Sequence, residues 1–378
     1  MLNEANRIIS VYTSDTSGVC SALYELDGMS VMHDASGCNS TYNTHDEPRW
    51  YDMPSRVYLS GLSECEAILG DESKFINDCV QTALEQNPKF IALASTPIPY
   101  MMNQDLDAIA RIIGKKTNIP TFAVESNGMN SYISGASKAL LKWAQYFVKK
   151  ERKTRENKVK KVNIIGATPL DFPNYEVIQS IIDSVMNMGF EVNSVWSMGP
   201  LTKNMENSNI ADFNLVISSV GIKVAKYLYQ EFNIPYLCAI PFGESQTNAI
   251  RESILLNKGY KLDLVKNEND KKIAIIGESI YSSAIKNLLK SGTIFSLLPD
   301  IANVMDDDDV LEKGEESLEN HLKDYQIVIG DPLFKHIVQK DTKFIEIPHF
   351  AFSGRIYKNN IPNLVGEKGD IWKREFDL

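Results

Sequence analysis

The sequence predicts an α/β protein of three domains, each built on a parallel sheet, and three observations carry that prediction. Short, wholly apolar runs of strand length alternate with amphipathic stretches of helical period. The apolar runs end in small polar turns and the helical stretches in short turns with proline, which is the punctuation of a βαβ unit. The same opening, a basic pair, a buried strand and a glycine turn, occurs twice, as KKVNIIGATP (160–169) and KKIAIIGESI (271–280).

Taken in order, RIISVYTS reads as a strand, SGVCSALYEL as a helix with Cys20 in its first turn, and MSVMHD as a second strand followed by the turn ASGC with Cys38. FIALAST (90–96) leads into the helix DLDAIARIIG and the strand TFAV. In the second domain KKVNIIGATP is followed by the helix YEVIQSIIDSVMNMG and the strand FEVNSVWSM. NLVISS (214–219) then leads into KVAKYLYQEF and YLCAIP. In the third, KKIAIIGESI precedes the helix SSAIKNLLKSG and the segment TIFSLLPDI, and YQIVIG (325–330) precedes a short helix DPLFKHIVQK and the strand TKFIEIP. The charged stretches KKERKTRENKVKK (149–161) and VKNENDKK (265–272) read as solvated linkers, so the expected Rossmann-like domains are 1–155, 160–266 and 270–378. DDDDVLEKGEE (306–316) reads as an exposed loop or helix start.

Composition narrows the function. Hydrophobic residues make up 43% of 378 and charged residues 23%, as in a soluble globular protein. No apolar run reaches membrane-spanning length, and MLNEANRIIS lacks the pattern of a signal peptide, so a cytoplasmic protein is expected. A formal charge of −10 argues against a nucleic-acid partner. Five cysteines do not make a disulfide framework in that setting, which leaves them as buried packing residues, metal ligands or reactive thiols. No Gly-x-Gly occurs, so the dinucleotide fingerprint fails and NAD is not expected. The Gly114-Lys115 pair has Ile109 where a phosphate loop needs glycine, so neither is ATP on this chain. Zinc spacings and a serine nucleophile elbow are also missing.

Ligands of parallel sheets gather beyond the carboxyl ends of the strands. Cys20, Cys38 and Thr96 all fall there. His33 lies near the end of MSVMHD, and the polar run His45-Asp46-Glu47-Pro48-Arg49-Trp50 follows closely. His33, His45, Asp46 and Arg49 are the catalytic candidates. The run reads as the source of a proton donor or, more plainly, as an ordered surface loop, and His33 as a residue that orients the loop after the strand or as a satisfied structural group. Cys20 reads equally as a helix-packing residue. Cys79, among Phe75, Ile76 and Val80, and Cys238, in PYLCAIP, read as core.

In combination these segments resemble the nitrogenase component 1 family. Cys20 matches the family's first cluster cysteine, and VMHDASGC its cluster loop, with Cys38 as the second. LSECEAILGDESKF, STPIPYMMNQDLDAIAR and SNGMNSYISGAS match the segments that follow. DFNLVISSVGIKVAKYLYQEFNIPY and IPNLVGEKG resemble the later domains. The resemblance implies three domains around a central cleft and an iron–sulfur cluster at a subunit interface. It also implies electrons from a separate ATP-dependent reductase resembling the nitrogenase iron protein.

The departures shape the expectation. Thr96 stands where the third cluster cysteine would be, Asp34 replaces a loop glycine, and Ser218 falls near the position of the iron–molybdenum cofactor cysteine. No matching cofactor histidine is evident from the sequence, so that cofactor is not expected. Two cysteines from each of two chains make the four thiolates of a [4Fe–4S] cluster. The expected assembly is a homodimer, or a heterodimer with a homologous subunit, ligated by Cys20 and Cys38. Thr96 and, by the resemblance, Tyr132, Asn127 and Asn130 would stand beside the cluster without ligating it, and Cys65 is a possible substitute ligand. A reductase with an unknown substrate is the first reading. A scaffold or carrier for a metallocluster or tetrapyrrole, without turnover, is the second, and a small-molecule binding protein that has lost its cluster is the third.

Overall fold

The computed structural model describes residues 6–9, 12–35, 37, 47–151, 159–262 and 272–378. Three parallel sheets are present, as the apolar runs predict. The chain divides into two compact units, one of Thr13–Val148 and one of Met1–Tyr12 with Lys149–Leu378.

The Thr13–Val148 unit holds one four-stranded sheet, in the order β2-β1-β3-β4, with β1 Met29–His33, β2 Val57–Leu59, β3 Ile91–Ser95 and β4 Thr121–Val124. Strands β1 and β3 are buried at every position because helices cover both faces of the sheet. The helices are α1 Asp15–Leu23, α2 Glu64–Leu69, α3 Ser73–Gln86, α4 Pro97–Met101, α5 Leu106–Thr117 and α6 Tyr132–Phe147. On one face α3 contributes Phe75, Cys79 and Ala83, spaced by four, against Leu106, Ile109, Ala110 and Ile113 of α5. Cys79 is thus a core residue. Helices α1 and α6 pack closely enough that a Cβ on Gly135 would meet the Asp15 carbonyl oxygen at 1.9 Å, and one on Gly18 would meet that of Tyr132 at 2.4 Å. Only glycine allows that approach.

The other unit holds two five-stranded sheets. The first, β6-β5-β7-β8-β9, comprises β5 Lys161–Ile165, β6 Glu191–Val195, β7 Phe213–Val216, β8 Tyr236–Cys238 and β9 Tyr260–Lys261. The second, β12-β11-β10-β13-β14, comprises β10 Ile273–Ile276, β11 Thr293–Ser296, β12 Val310–Leu311, β13 Ile327–Gly330 and β14 Lys343–Glu346. Helices α7 Tyr175–Asn187, α8 Ile222–Phe232, α9 Gly243–Leu256, α10 Ser279–Leu289, α11 Glu315–Leu322, α12 Phe350–Ser353 and α13 Glu367–Glu375 accompany them. Helices α3, α5, α8 and α9 all stop at an asparagine in the left-handed conformation, Asn87, Asn118, Asn233 and Asn257. Asparagine tolerates that conformation and ends the helix ahead of the next strand.

Several local expectations are corrected. The described part of RIISVYTS forms no strand. The backbone amides of Arg7, Ile8 and Ile9 instead donate to one oxygen of the buried Glu315 carboxylate, at 2.8–2.9 Å. The segment after β13 is a 3-10 stretch, Pro332–Ile337, rather than an α-helix; Pro332 opens it and the Asp331 side chain caps it by accepting from the Leu333 amide. The acidic run at 306–309 is a loop with Asp307 and Asp308 exposed, as expected, but its ends are tied down: Lys286 bonds Asp306 and Asp309, and Lys261 bonds Asp306. Against the opposing push of burial, those two lysines hold the Asp306 carboxyl down at about 2. The three-residue edge strand β2 carries no apolar run long enough to read as a strand.

Candidate functional site

In all three sheets the strand order reverses direction beside a central pair, β1/β3, β5/β7 and β10/β13. Such switch points open a crevice at the carboxyl ends of the strands. In each, this sequence places a buried carboxyl group.

At the β1/β3 switch the carboxyl is Asp34, which follows β1. Thr96 caps α4 just after β3, and its hydroxyl lies 2.8 Å from Asp34 Oδ1 and 2.9 Å from the His33 carbonyl. Thr96 thereby joins the ends of the two strands. Asp34 Oδ2 is buried and has no hydrogen bond to a described residue. His33 Nδ1 lies 2.7 Å from Ser60 Oγ, and its ring stacks on Phe75 with centroids 4.1 Å apart. Burial lowers the His33 pKa to about 4, outweighing the Gln104 side chain and the Asp34 and Glu66 carboxylates, which push the other way. At neutral pH this imidazole is therefore uncharged.

Cys20 is wholly buried on α1, packed with Met32 and Val57 and flanked by Tyr24 and Leu59. Helix α1 begins at Asp15 rather than Ser17, so Cys20 sits in the second turn, where the helix dipole has largely faded. Burial pushes its thiol well above the ordinary range, and the Glu47 carboxylate adds to that push. Desolvation therefore dominates at this thiol. A bound metal cation would reverse the balance, because its positive charge offsets the cost of a buried thiolate.

Arg49 is 2% exposed and completely engaged. It donates to Glu47 Oε1 at 2.6 Å, to Glu25 Oε1 at 2.9 Å and to the Ser21 carbonyl at 2.7 Å, and its guanidinium lies over the Tyr24 ring. It pins the 47–53 turn to the helix that carries Cys20. Asn127 and Asn130 belong to a loop gathered by the buried carboxylate of Asp15, which accepts from the amides of Asn127 and Gly128 and from Asn130 Nδ2. Tyr132 opens α6, fully buried against α1. Cys65 is exposed in the first turn of α2. Cys38, His45 and Asp46 lie outside the described residues.

Sequence reasoning missed Asp15, Asp171 and His349. At the β5/β7 switch Ser218 donates to Asp171 Oδ2 at 2.6 Å, and His349 Nε2 lies 3.2 Å from Asp171 Oδ1. A histidine that no sequence motif singles out thus reaches the Ser218 neighbourhood through Asp171. Its signal was its place, directly after the last strand of a parallel sheet.

The described residues contain no group of three or more His, Cys, Asp or Glu side chains arranged to hold a metal ion. Cys20 is a suitable soft ligand in an apolar setting, yet a single thiol does not hold a cluster. An iron–sulfur group would need Cys38 and further ligands from elsewhere. No helix among the described residues is long and apolar enough to cross a membrane.

Comparison with known proteins places the chain. Residues 14–290 match the model of the nitrogenase component 1 type oxidoreductase family. Among curated proteins, a subunit of the light-independent protochlorophyllide reductase of Gloeothece citriformis is 29% identical over 227 residues, covering 57% of this chain and 44% of that protein. The corresponding protein of Huperzia lucidula is 27% identical over 188 residues, covering 47% and 36%. The chain thus spans less than half the length of these relatives. A solved structure of nitrogenase Cp1 at pH 6.5 superposes with a TM-score of 0.68 at 17% identity, covering 99% of this chain and 93% of that one, a likeness of fold. With the family model spanning most of the chain and a fold in agreement, this protein belongs to the nitrogenase component 1 type oxidoreductase family.

Proposed function

We propose that the protein is a reductase subunit in which two chains meet around one [4Fe–4S] cluster, with Cys20 and Cys38 of each chain as ligands. The family match over residues 14–290 carries this reading. The setting of Cys20 supports it, because a thiol buried beside Met32 and Val57 is a poor thiolate alone and a good ligand to a soft cation. The partner is a second copy or a homologous subunit. Since the sequence has no phosphate loop, electrons arrive from a separate iron-protein-like reductase that hydrolyses ATP, in the cytoplasm. Each parallel sheet is the centre of one Rossmann-like domain. Thr96 and Tyr132 shape the surroundings of the cluster, His33, with its neutral imidazole, supports the strand end beside it, and His45 and Asp46 are the sources to examine for protons. Arg49 acts by positioning α1.

The cluster transfers one electron at a time when bound. Anaerobic purification with in-vivo cluster supply should yield a brown dimer with about four iron atoms per dimer. Reduction should produce an electron paramagnetic resonance signal, and Cys20→Ser or Cys38→Ser should bleach the protein. Iron-free protein prepared in that way overturns the reading. Iron that is present, but passes to an acceptor protein without substrate-dependent reoxidation, points to the scaffold role instead.

A further inference from the structure

The two sheets of the Lys149–Leu378 unit send the ends of five strands into one buried polar cluster. Asp171 and Thr168 follow β5, Ser218 and Ser219 follow β7, Glu278 follows β10, Asp331 follows β13 and His349 follows β14. All are buried. Asp171 accepts from Thr168 at 3.0 Å and from Ser218 at 2.6 Å, and meets His349 Nε2 at 3.2 Å. Glu278 crosses in the opposite direction, accepting from the Ser219 amide at 3.1 Å, from the Ser219 hydroxyl, and from the Tyr281 amide at 2.8 Å. Asp331 accepts from the His349 amide and the Ser353 hydroxyl, each at 2.7 Å. Within the first sheet the two strand ends lie close: Gly166, with φ +100°, is so near Ser218 that a Cβ there would meet its backbone at 2.9 Å.

Three carboxyl groups around one imidazole cannot all ionise in a buried space at an acceptable cost. Burial first, and then the Asp171 charge, push Glu278 up despite its hydrogen bonds, and burial pushes Asp331 up. The other titratable neighbours stay neutral: Tyr281 on α10, edge-on to His349, and Cys238 at the end of β8, which feels Glu278, Asp300 and Lys226, are both raised by burial. A cavity of about 20 Å³ is lined by Glu278, Tyr281, Ser282, Asp331, His349 and Phe352, room for one water molecule.

We propose that Glu278, Asp171 and His349 form a buried proton-holding site where the two switch points meet, one proton passing between the two carboxyl groups by way of the imidazole. The proton leaves the Glu278 carboxyl through the enclosed water to the imidazole, which releases its Nε2 proton to Asp171; the reverse steps return it to Glu278. No other bond changes. The site does not depend on the reductase reading.

Infrared difference spectroscopy of the full-length protein tests it. At neutral pH the protein should show the carbonyl band of a protonated carboxylic acid, shifted in heavy water and by ¹³C-glutamate labelling. Glu278→Gln, which keeps an acceptor for Ser219, should lose the band, His349→Gln should slow its deuterium exchange, and Asp331→Asn should leave it in place. The proposal is overturned if unmodified protein shows no such band at neutral pH, or if glutamate labelling fails to move it. A band that persists in both Glu278→Gln and Asp171→Asn overturns it equally. The labelling arm decides the matter even where a variant fails to fold. A band in iron-free protein keeps the site while the reductase reading falls, whereas its absence from iron-loaded protein removes the site alone.

Discussion

Arg49 shows how one residue type can be legible and its role not. The sequence marks it as polar and close to a suspected site, but only the fold reveals that its guanidinium is consumed by Glu47, Glu25 and Ser21. Removing one partner of a buried ion pair strands the others. Arg49→Ala should therefore cost about 3–5 kcal/mol in urea unfolding. Arg49→Lys should recover only part of this, since a point charge cannot span two carboxylates and a carbonyl. An unfolding free energy unchanged in Arg49→Ala would refute the structural role. His33 gives a pH prediction. Its pKa falls on folding from 6.5 to about 4, so the unfolded chain binds the proton first. The contribution is complete above pH 6.5 and is lost as pH falls towards 4. About 3 kcal/mol is the upper scale for such a shift. Urea titrations across that window should show the decline, and His33→Gln should flatten it; equal slopes would mean the imidazole is not held neutral.

At the level of elements, most strands and helices follow from pattern because burial on both faces of a sheet demands uninterrupted apolar runs. β3, β7, β10 and β13 are all wholly buried, and all were visible as such. The short edge strands β2, β9 and β12 were not, since so few residues carry no period. Nor was the start of α1, because Asp15 is both the first helical residue and the anchor of the 127–130 loop. The α1–α6 contact yields a direct test. Gly135→Ala puts a methyl group into the Asp15 backbone, which can yield only by separating the helices. We expect a loss of about 1–3 kcal/mol and faster labelling of the Cys20 thiol. Gly114→Ala, whose Cβ would meet nothing nearer than 3.4 Å, should show neither effect.

For the molecule as a whole, two compact units imply two sets of cooperative contacts. Perturbations that share no partners act independently. Arg49→Ala should accelerate amide exchange within 47–148 while leaving protection across 272–346 unaltered. Uniform acceleration through both regions would show a single cooperative unit.

The sequence alone determined the α/β class, the parallel sheets, the core status of Cys79 and the resemblance in which Cys20, Cys38 and Thr96 stand out. These rest on local periodicity and residue order, which every segment carries for itself. Tertiary structure decided what each polar residue touches: the neutral His33, the consumed Arg49, the desolvated Cys20, and the meeting of Asp171, Ser218 and His349. Asp171 and His349 lie 178 positions apart. Their contact depends on how two sheets bring their strand ends together, and no local pattern encodes that.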